Sequence, residues 1–251
     1  MLVWSAAAQT PSAVPRMPDG HPDLSGVWWR GADVGGRPAT PAPGRGAAPA
    51  GKQAPAAGKQ AGKQAPPVTF AGLYVPSAQA KAKTLGDKDD PTLRCVPTAF
   101  GTLNVSLYDV GAVGQIIATP KFVVMLTETY HGFRLVPTDG RPHRDNVPPV
   151  YRGDSVGHWD GDTLVVDVAG FNDKTWLPGR GGSMHSDQLH VVERYRHNGE
   201  TISYEATMVD PKVFTKPFVY TTTLKKSAPG DRVMEYECLE NNVDIPHLVG
   251  R

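Results

Sequence analysis

Apolar and polar residues alternate with a period of two through the C-terminal half of the chain. Ile202, Tyr204, Ala206 and Met208 fall on one face of a strand, and Thr201, Ser203, Glu205 and Thr207 on the other. Phe218, Tyr220, Thr222 and Leu224 repeat the pattern, while Leu164, Val166 and Val168 oppose Thr163, Val165 and Asp167. Successive side chains of a strand point to opposite sheet faces, so this period predicts strands with one buried face.

Turn signals separate the strands. Pro120-Lys121 divides segments 114–119 and 122–128, and the meander continues over 130–136. Asp160-Gly161 joins 155–159 to 162–168, and Asn198-Gly199 joins 189–197 to 200–209. Asp-Gly and Asn-Gly between strand-like runs are strong hairpin signals. Pro229-Gly230-Asp231 separates 217–225 from 232–239. About eight to ten antiparallel strands predict an all-β fold, an antiparallel meander barrel of the lipocalin-like kind or a sandwich. A barrel of that size can hold one small ligand. Residues 68–75 read as a short extended piece. One short helix is expected from Ser77, as N-cap, to about Leu85.

Composition divides the chain. Residues 31–67 are rich in Ala, Gly, Pro, Lys and Gln and carry AGKQ three times. Such a segment cannot bury a core and reads as a disordered insertion in a single domain over 21–251. Residues 1–20 read as a flexible lead or signal remnant, since MLVWSAAAQTPSA resembles the end of a secretory signal. The expected location is therefore periplasmic or secreted, where Cys95 and Cys238 could pair. Net charge is +1, with 26 basic residues against 25 acidic ones. That balance argues against nucleic acid and anionic membranes as partners. No apolar run reaches the ~18–20 residues of a membrane span. The partner left is a small molecule, with the oligomeric state open.

Candidate chemistry gathers between residues 139 and 194. The loop after the Asp160-Gly161 hairpin carries Asn172, Trp176 and His185, and loops on a rigid support commonly carry function. His185 is a candidate general acid or base, since an imidazole titrates near neutrality. Glu193 shares a strand face with Leu189, Val191 and Tyr195. Inside an apolar lumen its carboxyl would titrate high and could do the same work. The turn Asp139-Gly140-Arg141-Pro142-His143 adds a carboxylate to orient an imidazole and a guanidinium for a carboxylate or phosphate. Catalytic candidates are thus His185, Glu193, Asp139 and His143, and substrate-binding candidates are Arg141, Asn172, Trp176 and Arg194. Trp176 lies in a polar loop, where an exposed indole would pack on a ligand. Arg194 and Glu193 also read as ordinary strand charges paired across the sheet. Gly153-Asp154-Ser155-Val156-Gly157 matches a nucleophile-elbow string. That motif needs a strand–turn–helix setting, and a β-hairpin follows instead. His131, His143, His185 and His190 could meet at a metal, yet no metal-ligand spacing is present, and no cofactor is expected.

Two resemblances follow. Gly26-Val27-Trp28 before a β meander resembles the Gly-x-Trp opening of lipocalin-like (calycin) barrels, which implies a Trp closing one barrel end. DGHPDLSGVW (19–28), PTDGRPH (137–143), GDSVGHWDGDTLVVDVAGFNDKTW (153–176), HSDQLHVVERYR (185–196) and VDPKVFTKPF (209–218) resemble a family of exported bacterial proteins found in acidobacteria and proteobacteria. Residues matching its pattern include Asp139, Arg141, His143, Trp159, Asp162, Asn172, Trp176, His185, Ser186, Glu193, Arg194, Asp210 and Pro211, whereas His158 and Asp160 depart from it. The resemblance implies a shared fold and site but carries over no activity. Two functions are expected from the residues. One is an exported enzyme doing cofactor-free acid/base chemistry (hydration or dehydration, isomerisation, hydrolysis) at a barrel mouth. The alternative is a lipocalin-like binding protein for a hydrophobic small molecule.

Overall fold

A computed structural model of the chain describes residues 13–29, 70, 72–99, 113–128, 132–177, 183–235 and 237. Nine strands and one α-helix are formed among them. The strands are β1 (Gly26–Trp29), β2 (Val113–Ala118), β3 (Phe122–Thr127), β4 (Phe133–Pro137), β5 (Asp154–Asp160), β6 (Thr163–Ala169), β7 (His190–His197), β8 (Thr201–Val209) and β9 (Phe218–Lys226). They make one sheet in the order β4-β3-β2-β1-β9-β8-β7-β6-β5, with every hydrogen-bonded pair antiparallel. The sheet curls into a nearly closed barrel, the expected all-β meander.

The strand count decides where the barrel fails to close. Walking from β4 to β5 through the sheet crosses eight antiparallel pairings, so the two edges point the same way. Antiparallel partners alternate in direction, so an odd-numbered ring must contain one parallel neighbour pair. Here that pair is β4 and β5, joined by residues 138–153. The seam is stitched at one end, where the Gly140 N–H donates to the Gly157 carbonyl at 3.0 Å. Gly157 permits the approach, because a Cβ there would lie 2.9 Å from Val136 Cγ1 and 3.2 Å from the Pro137 carbonyl oxygen.

Inward faces follow the alternation. Leu164, Val166, Val168, Val191, Tyr195, Ile202, Tyr204, Ala206 and Met208 are almost wholly buried in one core cluster. Side chains therefore fill the barrel interior around them, as in other small barrels. Trp28 is fully buried; its Nε1–H donates to the Leu24 carbonyl and its ring meets His197 edge-on. Within the expected lead, Met17 is buried and Arg16 forks onto Asp162 with bonds of 2.9 and 2.8 Å. His21 stacks on Trp159.

Several local expectations shift. The helix α1 spans Pro76–Ala82, so Ser77 lies inside it. Val75 is the N-cap without a side-chain bond, because Pro76 takes the first helical position, where its missing N–H costs nothing. The hairpin between β5 and β6 turns on Gly161-Asp162, since Asp160 still pairs with Thr163. Gly161 supplies the positive φ, +57°, at the first central position. Residues 232–235 form no strand. Both neighbours of β9 are already taken by β1 and β8, and the Met234 N–H bonds the Glu128 carboxylate instead. Among the described residues of the extended piece over 68–75, Tyr74 makes a bridge to Phe214. The insertion 31–67, His131 and Cys238 lie outside the described residues. Cys95 is disulfide-bonded. No helix among the described residues is long and apolar enough to cross a membrane.

Candidate functional site

An open cavity of about 420 Å³ lies along the β4/β5 seam, with Arg134, Ser155, Phe133, Tyr151, Arg152 and Asp154 among its lining residues. Its volume falls within the range of small-molecule sites. Parity leaves this edge unpaired, so backbone and side chains of β4 and β5 border the opening.

The floor is a buried polar network. Arg134 Nη2 donates to Glu193 Oε2 at 2.6 Å and to Ser155 Oγ at 2.9 Å. Glu193 Oε1 accepts from the hydroxyls of Tyr195 at 2.9 Å and Tyr204 at 2.8 Å. Strands β4, β7 and β8 thus converge on one carboxylate, and β5 joins the network through the Ser155–Arg134 bond. The Arg134 and Glu193 side chains are 4% and 0% exposed, so both ions are shielded from water. Burial opposes the Arg134 charge, yet Glu193 at its side outweighs this and holds the guanidinium protonated. Burial, then the Glu193 charge, pushes the Tyr204 hydroxyl well above its ordinary value, so it remains a donor. Glu193 occupies the interior face predicted for it, but in a charged and hydrogen-bonded setting rather than an apolar lumen.

A second cluster sits on the outer wall. His143 Nδ1 lies 3.0 Å from Asp154 Oδ2, and its Nε2 lies 2.8 Å from Asp167 Oδ1. Carboxylates only accept, so both ring nitrogens donate and the ring is an imidazolium. Burial opposes this charge, but the bonds to Asp167 and Asp154 outweigh it and raise the imidazole's pKa. His190 Nε2 shares the same Asp167 oxygen at 2.8 Å, and Arg144 Nη2 bonds the other Asp154 oxygen at 2.8 Å. Burial raises the Asp154 pKa, but His143 and Arg144 outweigh that and hold it low. Asp154 joins this cluster to the cavity.

The other predicted residues lie elsewhere. His185 is buried against Phe171. Its Nδ1 donates to the Ser186 carbonyl at 2.9 Å, so Nε2 accepts from the Thr175 hydroxyl at 2.7 Å. Burial lowers its pKa and keeps the ring neutral. The adjoining Ser186 is held by Asp210, whose carboxylate accepts from its N–H and hydroxyl, tying two motif segments together. The expected exposure of the Trp176 indole is not found; the residue is 7% exposed and packs in the core, and its carbonyl accepts from the Ala99 N–H. Asn172 closes a local turn, its side-chain oxygen accepting from the Lys174 N–H. Asp139 and Arg141 pair with each other in an exposed turn, and that bond holds the Asp139 carboxyl at about 2. Asp139 therefore orients no imidazole. Arg194 pairs with Asp160 on the outer face. His185, Asp139 and His143 bond to separate partners, none of them Glu193. Among the described residues, no three His, Cys, Asp or Glu side chains are arranged to hold a metal ion.

Arg134, Arg144 and Arg152 are not among the residues the sequence singles out, and Ser155 enters there only within the nucleophile-elbow string. In the segment Phe133-Arg134-Leu135, the apolar pair was the natural inward face. The structure inverts it: Phe133 is 68% and Leu135 53% exposed, with Arg134 inside. The usable signal was a lone arginine flanked by apolar residues in a strand, since inward-pointing charges are a known feature of sheet edges. Ser155 does stand on a strand, as its hairpin setting implied, and its hydroxyl serves the buried network.

No protein-family model, curated protein or solved structure matches the chain.

Proposed function

We propose that this is an exported protein that binds a small organic molecule in the cavity along the β4/β5 seam. One observation carries the reading: among the described residues, the parallel neighbours β4 and β5 border an open cavity of about 420 Å³, lined by Arg134 and Ser155 of the buried network that also holds Glu193. A buried ion pair is poor evidence for stability alone, because each ion costs several kcal/mol to desolvate. Its place beside an opening supports a recognition role.

Binding is better supported than acid/base turnover. The expected catalytic groups are spread over the interior, the loop core, an exposed turn and the outer wall. General acid/base chemistry requires them within hydrogen-bond reach of one substrate. The lipocalin-like reading keeps its meander and its buried Trp28. Lipocalin barrels have eight strands and a ligand in the lumen. Nine strands and a filled interior favour a ligand at the seam. Export is supported by the disulfide at Cys95, a bond that persists in oxidising compartments.

Native mass spectrometry of protein purified from its periplasmic or secreted fraction tests the reading. A bound organic adduct is expected, and Phe133→Ser with Tyr151→Ser should release it, since both side chains are exposed and line the cavity. An adduct retained by that variant would place the ligand elsewhere. Absence of an adduct, together with no rise in Tm from any compound of a small-molecule library, would refute binding.

A further inference from the structure

We infer that His143 is a pH-operated latch: with both ring nitrogens protonated it pins the β4–β5 connection to the outer wall of the barrel, and losing one proton releases it. Its effect on binding rests on the seam cavity being the ligand site. The connection, residues 138–153, carries Arg144, Val150, Tyr151 and Arg152 of the cavity lining, and Asp154 and Ser155 of the lining follow at the start of β5. Backbone bonds tie the connection near its two ends. The Gly140 N–H donates to the Gly157 carbonyl at 3.0 Å, and the Val150 N–H to the Gly170 carbonyl at 3.1 Å. Between them two side chains reach the wall: His143 meets Asp154 and Asp167, and Arg144 meets Asp154.

The geometry makes this grip depend on two protons. Ionised carboxylates accept and do not donate, so each bond takes an N–H from the ring. A neutral imidazole has one N–H and one lone pair. Whichever tautomer it takes, one carboxylate then faces a lone pair. Either the 3.0 Å bond to Asp154 on β5 or the 2.8 Å bond to Asp167 on β6 is lost. The proton has a path to solvent, since the His143 side chain is 30% exposed.

The other groups against the ring do not replace it. His190 on β7 holds the same Asp167 oxygen through Nε2 at 2.8 Å, a bond for which one ring proton suffices. Arg144 keeps the other Asp154 oxygen. Neither ties the connection to β6. Burial opposes the His143 charge, but the bonds to Asp167 and Asp154 outweigh it, so the latch opens above the ordinary imidazole value of about 6.5. Asp154 and Arg144 belong both to this cluster and to the cavity lining, so release slackens the rim of the cavity. The ligand is held at lower pH and let go as pH rises.

Amide exchange of the ligand-free full chain at about pH 6 and about pH 9 tests the latch, with each amide's protection corrected for its intrinsic exchange rate. Protection at Gly140 and Val150 should fall about tenfold relative to β7 and β8 at the higher pH, as expected for one lost charge-assisted hydrogen bond. In His143→Gln it should be low at both values, and in His190→Gln the fall should persist. Equal protection at both pH values, a fall that persists in His143→Gln, or one that vanishes in His190→Gln would overturn the latch. Should His143→Gln fail to fold, imidazole nitrogen NMR shifts of the unaltered protein decide. His143 must lose its second proton over the same pH interval in which protection falls, and titration in a different interval would overturn the latch. Native mass spectrometry at the same two pH values tests its hold on the cavity, with loss of the native adduct expected at the higher one. Equal occupancy at both would overturn that hold and leave the binding proposal standing. Failure of the binding proposal leaves the exchange test intact, because it uses ligand-free protein.

Discussion

Arg134 on β4 and Glu193 on β7 meet at 2.6 Å across the barrel interior, and neither is more than 4% exposed. Removing one partner strands the other charge in a dry site. Glu193→Gln should therefore lower stability by about 3–5 kcal/mol. Replacing both, as Arg134→Met with Glu193→Leu, should recover part of that loss, because the desolvation of both ions disappears while the Tyr195 and Tyr204 hydroxyls lose their acceptor. Urea unfolding midpoints read both outcomes. A double variant no more stable than Glu193→Gln would show that the network holds the barrel together by more than its charges.

Two histidines give opposite pH dependences. The folded pKa of His143 is raised by Asp167 and Asp154 against the opposing effect of burial. Its contribution is full below the unfolded value of about 6.5 and is lost as pH rises through the folded value. Burial lowers the folded pKa of His185. Its contribution is full above about pH 6.5 and is lost as pH falls towards the folded value. Unfolding midpoints of His143→Gln should lose the decline seen on the alkaline side, and those of His185→Gln the decline on the acid side. Unchanged slopes in both variants would contradict these assignments.

Gly157 controls how closely the seam comes together. Gly157→Ala places a Cβ 2.9 Å from Val136 Cγ1 and 3.2 Å from the Pro137 carbonyl oxygen. The side chain can give way, but the carbonyl is fixed by β4, so the edges must part. A loss of about 1–3 kcal/mol is expected, as for other overpacked sites. Hydrogen exchange should quicken at Gly140, whose N–H bonds the Gly157 carbonyl, while β7 and β8 stay protected. Uniform loss of protection over the whole barrel would show that the seam is not a local feature.

The strands were legible because alternation is a local property. Val191, Glu193 and Tyr195 face inward as their spacing implied, and so do Ile202, Tyr204, Ala206 and Met208. The seam was not legible, because it depends on whether the strand count is odd or even, and turn signals left eight to ten open. Arg134 was missed because its neighbours, Phe133 and Leu135, outvote it in any pattern of apolar faces. The polar neighbours of Trp176 point to an exposed indole, and the loop setting of His185 points to an acid/base group. Both are buried, Trp176 in the core cluster and His185 against Phe171 and Thr175. A single chain does not announce which segment will cover which loop.

The central claim is that the ligand sits at the seam and not inside the barrel. Amide hydrogen exchange of the protein with its native adduct bound and after the adduct has been stripped tests it most directly. Protection should rise at residues 132–135 and 150–155 and remain unchanged along the inward-facing positions of β7 and β8. Protection gained within β7 and β8 with the seam unaffected would contradict the account.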